Sequence, residues 1–289
     1  MIHASIWPQE DFVANKGRIA LAALTAALVT ACATSPTGRT QLMLVSEQQA
    51  ISASRQAYVQ EIGKAKQSGK LVTDRRLLNR VEVITGRLVA QAVRMRPDSA
   101  KWEWSVQVID EPKTVNAWCM AGGRMAIYTG LLQQVDPTDD ELAQVMGHEI
   151  AHALANHTAE RMSVAMASQA GVLAAGILSD SPGQAMAGAA VAAQFAVNLP
   201  NSRTAETEAD RIGIELAARA GYDPRAAITL WQKMGAVGGG KGPPPFLSTH
   251  PSDAQRQQRL GALVPKMMPY YQAPGVRPSY AVRIGANAA

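Results

Sequence analysis

His148-Glu149-Ile150-Ala151-His152 places two imidazoles four residues apart with a carboxylate between them. The stretch from Thr138 to His157 reads as helix, and on a helix positions four apart lie about 40° apart around the axis and one turn apart along it. Both rings therefore leave one face. That is the spacing at which two nitrogens share a tetrahedral zinc ion, one per chain, with Glu149 as general base toward a metal-bound water. The plain alternative is a chance pentapeptide on an amphipathic helix. With five histidines in 289 residues, composition alone yields such a match in roughly one sequence in a hundred or fewer.

Two histidines do not complete a catalytic zinc site. His157 is five residues past His152, and on a continuing helix it falls on the face opposite His148, as a surface or helix-end residue. A downstream carboxylate is the better third ligand. In Ser202-Arg203-Thr204-Ala205-Glu206-Thr207-Glu208-Ala209-Asp210, the side chains of Glu206 and Asp210 share a helical face. One can ligate while the other accepts a hydrogen bond from a ligand histidine. Glu208 points elsewhere, as a solvated acid. The competing account is that all three acids pair with Arg203 and Arg211 on a charged helix. His250, between Thr249 and Pro251 after a Gly/Pro-rich loop, is ill suited to a core. It could stabilise an oxyanion, occupy the open metal position and hold the site inactive, or simply anchor its loop.

The elements that must position these groups are legible as patterns. Ser46 and Asp74 cap helices running to about Lys66 and Met95. Trp102 to Ile109 alternates as a half-exposed strand, Val115 to Met120 is a second apolar segment, and Arg124 to Tyr128 is a third strand beyond Ala121-Gly122-Gly123. The last strand either pairs with an extended substrate or is internal to the sheet. A short helix begins at Gly130-Leu131, and Thr138 with Glu141 makes a capping box for the histidine helix. Residues 163–199 are two Ala/Gly-rich arms joined by Ser179 to Gly183, each too short to span a bilayer: a lid, a membrane contact or plain core. A helix from about Thr204 to Ala220 stops at Gly221, and Asp223-Pro224 opens the next. Gly238 to Pro245 is a loop, within a mobile stretch at 238–250; Asp253 to Leu263 is helical, and the tail after Pro269 has little to order it.

The composition, 47% hydrophobic, is enough for one core with appendages, and the net charge of +5 is scattered without a basic run. Aromatic residues do not interleave with basic ones, so nucleic acid is not an expected partner. Lys16 and Arg18 precede an apolar run from Ile19 to Val29, the h-region of a signal peptide over residues 1–31. Residues 1–15 make a long lead, consistent with an upstream start codon. Val29-Thr30-Ala31-Cys32 resembles a lipobox, making Cys32 the lipidated residue and 32–45 a flexible tether to a membrane. An ordinary cleaved signal with an incidental cysteine is the alternative. Ala33, in place of a retention aspartate, favours the inner leaflet of the outer membrane. Cys119 then has no disulfide partner and reads as a small buried hydrophobe.

HEIAH followed by SRTAETEAD resembles the metallopeptidase family typified by HtpX and the CAAX prenyl protease, in particular its periplasmic and lipoprotein members of the BepA and LoiP type. The resemblance runs from about Ser46 to Leu263 and includes Asn116-Ala117-Trp118, Gly122-Gly123, Tyr128-Thr129-Gly130 and Thr249-His250-Pro251. It implies Glu206 as third zinc ligand, Asp210 as its support, and Asn116, Gly122 and Gly123 beside the substrate. The lipobox sets this chain apart from the multispanning members. The expected fold is α+β: a mainly helical zincin-like domain over residues 46–265, with a small β-sheet beside the histidine helix and a tail at 266–289. The expected function is a periplasmic, lipid-anchored zinc endopeptidase for unfolded or misassembled envelope proteins, with outer-membrane assembly factors as candidate partners. The alternative is a chaperone-like scaffold lipoprotein whose zinc site is structural or blocked.

Overall fold

The computed structural model describes residues 32–178, 181, 183–184, 202–237, 246, 248, 250 and 255–285. The expected signal peptide, most of the second Ala/Gly-rich arm and the 238–245 loop lie outside the described residues. In chain order the elements are β1 (Cys32–Thr34), β2 (Thr40–Leu42), α1 (Glu47–Gln67), α2 (Arg75–Met95), β3 (Ser105–Ile109), β4 (Ala117–Met120) and β5 (Arg124–Tyr128). Then follow α3 (Asp139–Leu154), α4 (His157–Leu178), α5 (Arg203–Arg219), α6 (Ala226–Ala236), α7 (Arg256–Tyr271) and β6 (Arg283–Ile284). The fold is α+β and mainly helical.

Local chemistry sets the helix starts. Ser46 and Gln49 form a capping box on α1, the Asp74 carboxylate accepts from the amides of Arg76 and Leu77, and Thr138 with Glu141 caps α3. Ser202 caps α5 by accepting from the Ala205 amide. Each satisfies amides that a helix start otherwise leaves without partners.

The main sheet has the order β4-β5-β3-β6, with β3 parallel to both neighbours and β4 antiparallel to β5. Two expectations fail here. β3 is not half-exposed: Ser105 and Gln107, on the polar side of the alternation, are as buried as Val106 and Val108. α1 covers that second face, packing Tyr58, Ile62 and Ala65 against Ile109 and Ala126. Nor is the tail after Pro269 unordered. α7 continues to Tyr271, and the Tyr280 amide then bonds Gly86 O, the Arg283 amide bonds Trp104 O, and β6 pairs with β3. Long-range backbone pairing of this kind leaves no mark on local composition.

The segment expected as a flexible tether is likewise structured: β1 and β2 form an antiparallel hairpin. The first Ala/Gly-rich arm continues α4 but is not core, since Val164, Met166 and Leu173 are exposed. Among the described residues, no helix is long and apolar enough to cross a membrane.

α3 lies in the centre of the main core, and α5 crosses it at Gly147 and Gly213. A Cβ on Gly147 would meet Gly213 O at 2.9 Å, and a Cβ on Gly213 would meet the His148 amide nitrogen at 2.8 Å. Gly213→Ala is therefore expected to push the helices apart and lose about 2 kcal/mol in urea unfolding, although alanine is the better helix former by about 1 kcal/mol. A stabilised variant would show that the crossing has slack.

Glu141 ties the start of α3 to α6, accepting from Thr229 Oγ1 at 2.7 Å and from Lys233 Nζ at 2.6 Å. Burial pushes its carboxyl up, but Lys233, Thr229 and the Thr138 amide outweigh it and hold the group below its ordinary 4.5. A depressed carboxyl contributes stability above its unfolded-state value and loses it as pH falls through the folded one. Wild type should thus exceed Glu141→Gln at pH 7, and the gap should close as pH drops below 4.5. A pH-independent gap would contradict this.

Candidate metal centre

His148 and His152 leave α3 one turn apart and bring their Nε2 atoms to 3.1 Å. Across the Gly147–Gly213 crossing, Glu206 in the first turn of α5 presents Oε2 at 3.3 Å from His148 Nε2 and Oε1 at 3.4 Å from His152 Nε2. His250 Nδ1 reaches the same point, 3.0 Å from Glu206 Oε1 and 3.2 Å from His148 Nε2. The four side chains are buried, and their ligand atoms lie within 4.8 Å of one another. Glu206 Oε2 and Glu149 Oε1 have charged groups nearby but no hydrogen bond of their own. Three imidazole nitrogens and a carboxylate converging on one buried point, with an unsatisfied oxygen among them, fit zinc.

The surroundings order the charges. Burial pulls the His148 imidazole down, but its bonds with Asp210 and Glu206 carry it up to about 9. Burial dominates at His152 and sends it well below the usual histidine value. Burial pushes Glu206 up, yet His148, His152 and His250 together hold it far below the ordinary carboxylate range. Glu149 moves the other way, raised by burial beyond what His250 and His148 take back. A carboxyl raised in this way is a better proton acceptor near neutral pH than a solvated one.

Asp210, one turn beyond Glu206, accepts from His148 Nδ1 at 3.0 Å, which fixes that ring. Asp210 is held in turn by Arg256, whose Nη2 is 2.6 Å from its Oδ1 while Nη1 lies 3.2 Å from Glu206 Oε2. The guanidinium is fully buried and stacks on Trp231 at 3.6 Å.

The family model for Peptidase family M48 matches residues 75–264, which include every one of these groups. The chain belongs to peptidase family M48. M48 peptidases use zinc, in agreement with the donor set. The chain is 41% identical over 159 residues to the mitochondrial metalloendopeptidase OMA1 of Arabidopsis thaliana, covering 54% of this chain and 31% of that protein. It is 32% identical over 243 residues to the human OMA1 metalloendopeptidase, covering 80% of this chain and 45% of the relative. A putative beta-barrel assembly-enhancing protease of Vibrio cholerae is 33% identical over 152 residues, with 50% of this chain and 31% of that protein covered. The chain spans less than half the length of each of these three relatives.

Other site residues of this M48 chain do not stand where the sequence put them. His157 is neither on the same helix as His152 nor at the surface. Asn156 takes a left-handed conformation, φ 56°, which ends α3 and starts α4 in a new direction. His157 returns to contact His152 and is 1% exposed. Glu208 is not solvated either; it is buried beneath His157. Asn116 lines a cavity of about 450 Å³ beside Glu149 and His152, together with Trp118, Met120 and Arg161. Gly122 and Gly123 do not line it. Both have positive φ in the β4–β5 turn, with Gly123 against the Trp104 ring. β5 is interior, so the strand edge at the cleft belongs to β4.

Arg256 had no sequence signal, being one arginine among polar residues before an apolar helix. His157 had one, because asparagine is a common left-handed helix terminator. Arg256→Met should cost the metal-free protein about 3 kcal/mol in urea unfolding, since it leaves two buried carboxylates without their cation. Arg256→Lys should recover only part, lacking the planar fork. A neutral Arg256→Met would show that the guanidinium contributes nothing net.

Proposed function

We propose that this chain is a zinc endopeptidase acting on unfolded or misassembled polypeptides at the cell envelope. The observation that carries the reading is Glu149 in the wall of a cleft bordered by an edge strand, beside the His148, His152 and Glu206 donor set. Zinc held there would supply a Lewis acid for water and for the scissile carbonyl. Glu149 takes the water proton and returns it to the leaving amine, and its raised pKa suits it to both steps. Main-chain groups of β4 at the cleft align an extended peptide by strand addition. His148 and His152 stay fixed through Asp210 and His157 while charge redistributes.

His250 closes this arrangement. Phe246 stacks on its ring at 4.5 Å, and the Phe246 amide bonds Val115 O, pinning the segment beside the entrance to β4. With Nδ1 among the ligand atoms and Nε2 at 3.4 Å from Glu149 Oε1, His250 stands where a substrate carbonyl must come. The site then works when a substrate displaces it. The same four-group closure favours a second reading, a structural zinc site in a scaffold protein, because structural sites fill all positions with protein ligands.

Export on a lipid anchor at Cys32 is part of the proposal. It is supported by the apolar run before that cysteine, by its exposure, and by relatives named for β-barrel assembly. Those relatives also make assembly factors of the outer membrane reasonable partners, although other relatives are named mitochondrial.

The readings separate on casein cleavage with zinc content measured in parallel. Glu149→Gln should keep its zinc and lose cleavage by about 10²–10⁴-fold, the usual contribution of a general base. His250→Ala should keep zinc and cleave faster than wild type. Zinc-loaded Glu149→Gln that cleaves as wild type does would sink the peptidase reading. Zinc lost with His250 alone would favour the structural site.

A further inference from the structure

His148 and His152 are held from behind by different means. His148 Nδ1 meets a carboxylate directly, whereas His152 Nδ1 meets a second imidazole, His157 Nδ1, at 2.7 Å. His157 Nε2 lies 3.2 Å from Glu208 Oε2. Glu208 in turn accepts from Thr37 Oγ1 at 2.6 Å and from Arg39 Nε at 2.8 Å, and both donors stand in the turn between β1 and β2. The guanidinium's other edge forks onto Glu160 with two bonds of 2.6 Å. Gln41 Nε2 reaches Glu160 and Ala155 O, and the Val45 amide bonds Ser163 Oγ, so the hairpin is stitched to the α3–α4 junction along its length.

The donors and acceptors run in one direction. A neutral histidine that offers Nε2 as a ligand carries its proton on Nδ1. His152 Nδ1–H therefore donates to His157 Nδ1, which leaves the His157 proton on Nε2, donating to Glu208. A carboxylate at that position is acceptor-only and takes the remaining donors from Thr37 and Arg39. Reversing any bond would put two donors or two acceptors face to face. The chain thus selects one tautomer for each ring.

We propose that the amino-terminal hairpin is part of the metal centre: Thr37 and Arg39, acting through Glu208 and His157, are positioning residues that set the ring orientation and tautomer of His152. The hairpin lies outside the matched family region, 75–264. It also begins at Cys32, which makes the orientation of one metal ligand depend on the segment next to the candidate anchor. The inference rests on His148, His152 and Glu206 being zinc ligands.

The test uses the full chain, stripped of metal, with zinc affinity measured by chelator competition and the ligand field read from the visible spectrum of the cobalt-substituted protein. Arg39→Ala and Glu208→Gln should each weaken zinc by about 10–100-fold, the usual cost of losing an outer-shell partner, and shift the cobalt bands. Thr37→Val, which removes one hydrogen bond and no charge, should weaken zinc less, by about threefold. Arg80→Ala, which breaks the exposed pair with Asp139, serves as control and should change neither reading. Wild-type affinity and cobalt bands in Arg39→Ala and Glu208→Gln would overturn the proposal, as would an equal loss in Arg80→Ala. Should Arg39→Ala and Glu208→Gln not fold, Thr37→Val decides alone: weakened zinc supports the chain and unchanged zinc overturns it. A wild type that takes up no zinc overturns the metal reading itself, and this inference with it.

Discussion

Between Gly147 and Gly213 the main chains of α3 and α5 are in contact, so close that a methyl group on either glycine would strike backbone of the other helix. Helices usually pack with their axes about 8–10 Å apart, a spacing set by the side chains between them. Here none intervene, and the consequence is reach. Aspartate has a single methylene, yet Asp210 bonds His148 Nδ1 at 3.0 Å, and Glu206 straddles the Nε2 atoms of both histidines. At an ordinary helix spacing one carboxylate could touch one imidazole, but not a ligand set and its support together. The caps that start both helices and the core around α3 maintain this contact.

Bringing those groups together gathers charge on side chains that are almost fully buried. Glu149, Glu206, Glu208 and Asp210 are all buried, as are His148, His152, His157 and His250. Buried carboxylates survive only with partners. The partners are distributed by layer. Arg256 enters from α7 behind Glu206 and Asp210, and Arg39 enters from the amino-terminal hairpin behind Glu208. Glu149 alone among the four is pushed toward neutrality, its burial outweighing the charges of His250 and His148. The environment therefore separates four chemically similar acids into three held ionised by their partners and one, Glu149, shifted toward its neutral form.

The side that would face a peptide is arranged by sheet order. β5 is enclosed between β4 and β3, and β6, formed by the returning tail, covers the other edge of β3. Among the described strands of the sheet, β4 is the one whose residues, Ala117 to Met120, line the cleft beside Glu149. His250, carried on a segment fastened at Phe246 to the approach to β4, connects that entrance to the donor set. Phe246, which bonds the approach to β4, and His250, which meets the donor set, are joined directly by a bond from the His250 amide to Phe246 O.

Much of this was legible in the sequence because it is local. HEIAH on a helix, the capping pairs, Glu206 and Asp210 one turn apart, and the mainly helical α+β class all follow from residue spacing and side-chain chemistry within a few turns. His250 stood out for the same reason, as a histidine with no place in a core. The failures share a different cause. β3 became a buried strand because α1, some forty residues earlier in the chain, covers its second face. His157 moved from surface to centre because one left-handed residue, Asn156, redirected the chain. Glu208, Arg39 and Arg256 carry charges that in sequence are indistinguishable from solvated ones, and the tail and hairpin are ordered by partners far away in the chain. The sequence by itself determined which atoms could bind a metal and which carboxylate could move a proton. Only the tertiary structure decided which charges lie behind them, since burial and pairing depend on what the rest of the chain brings alongside.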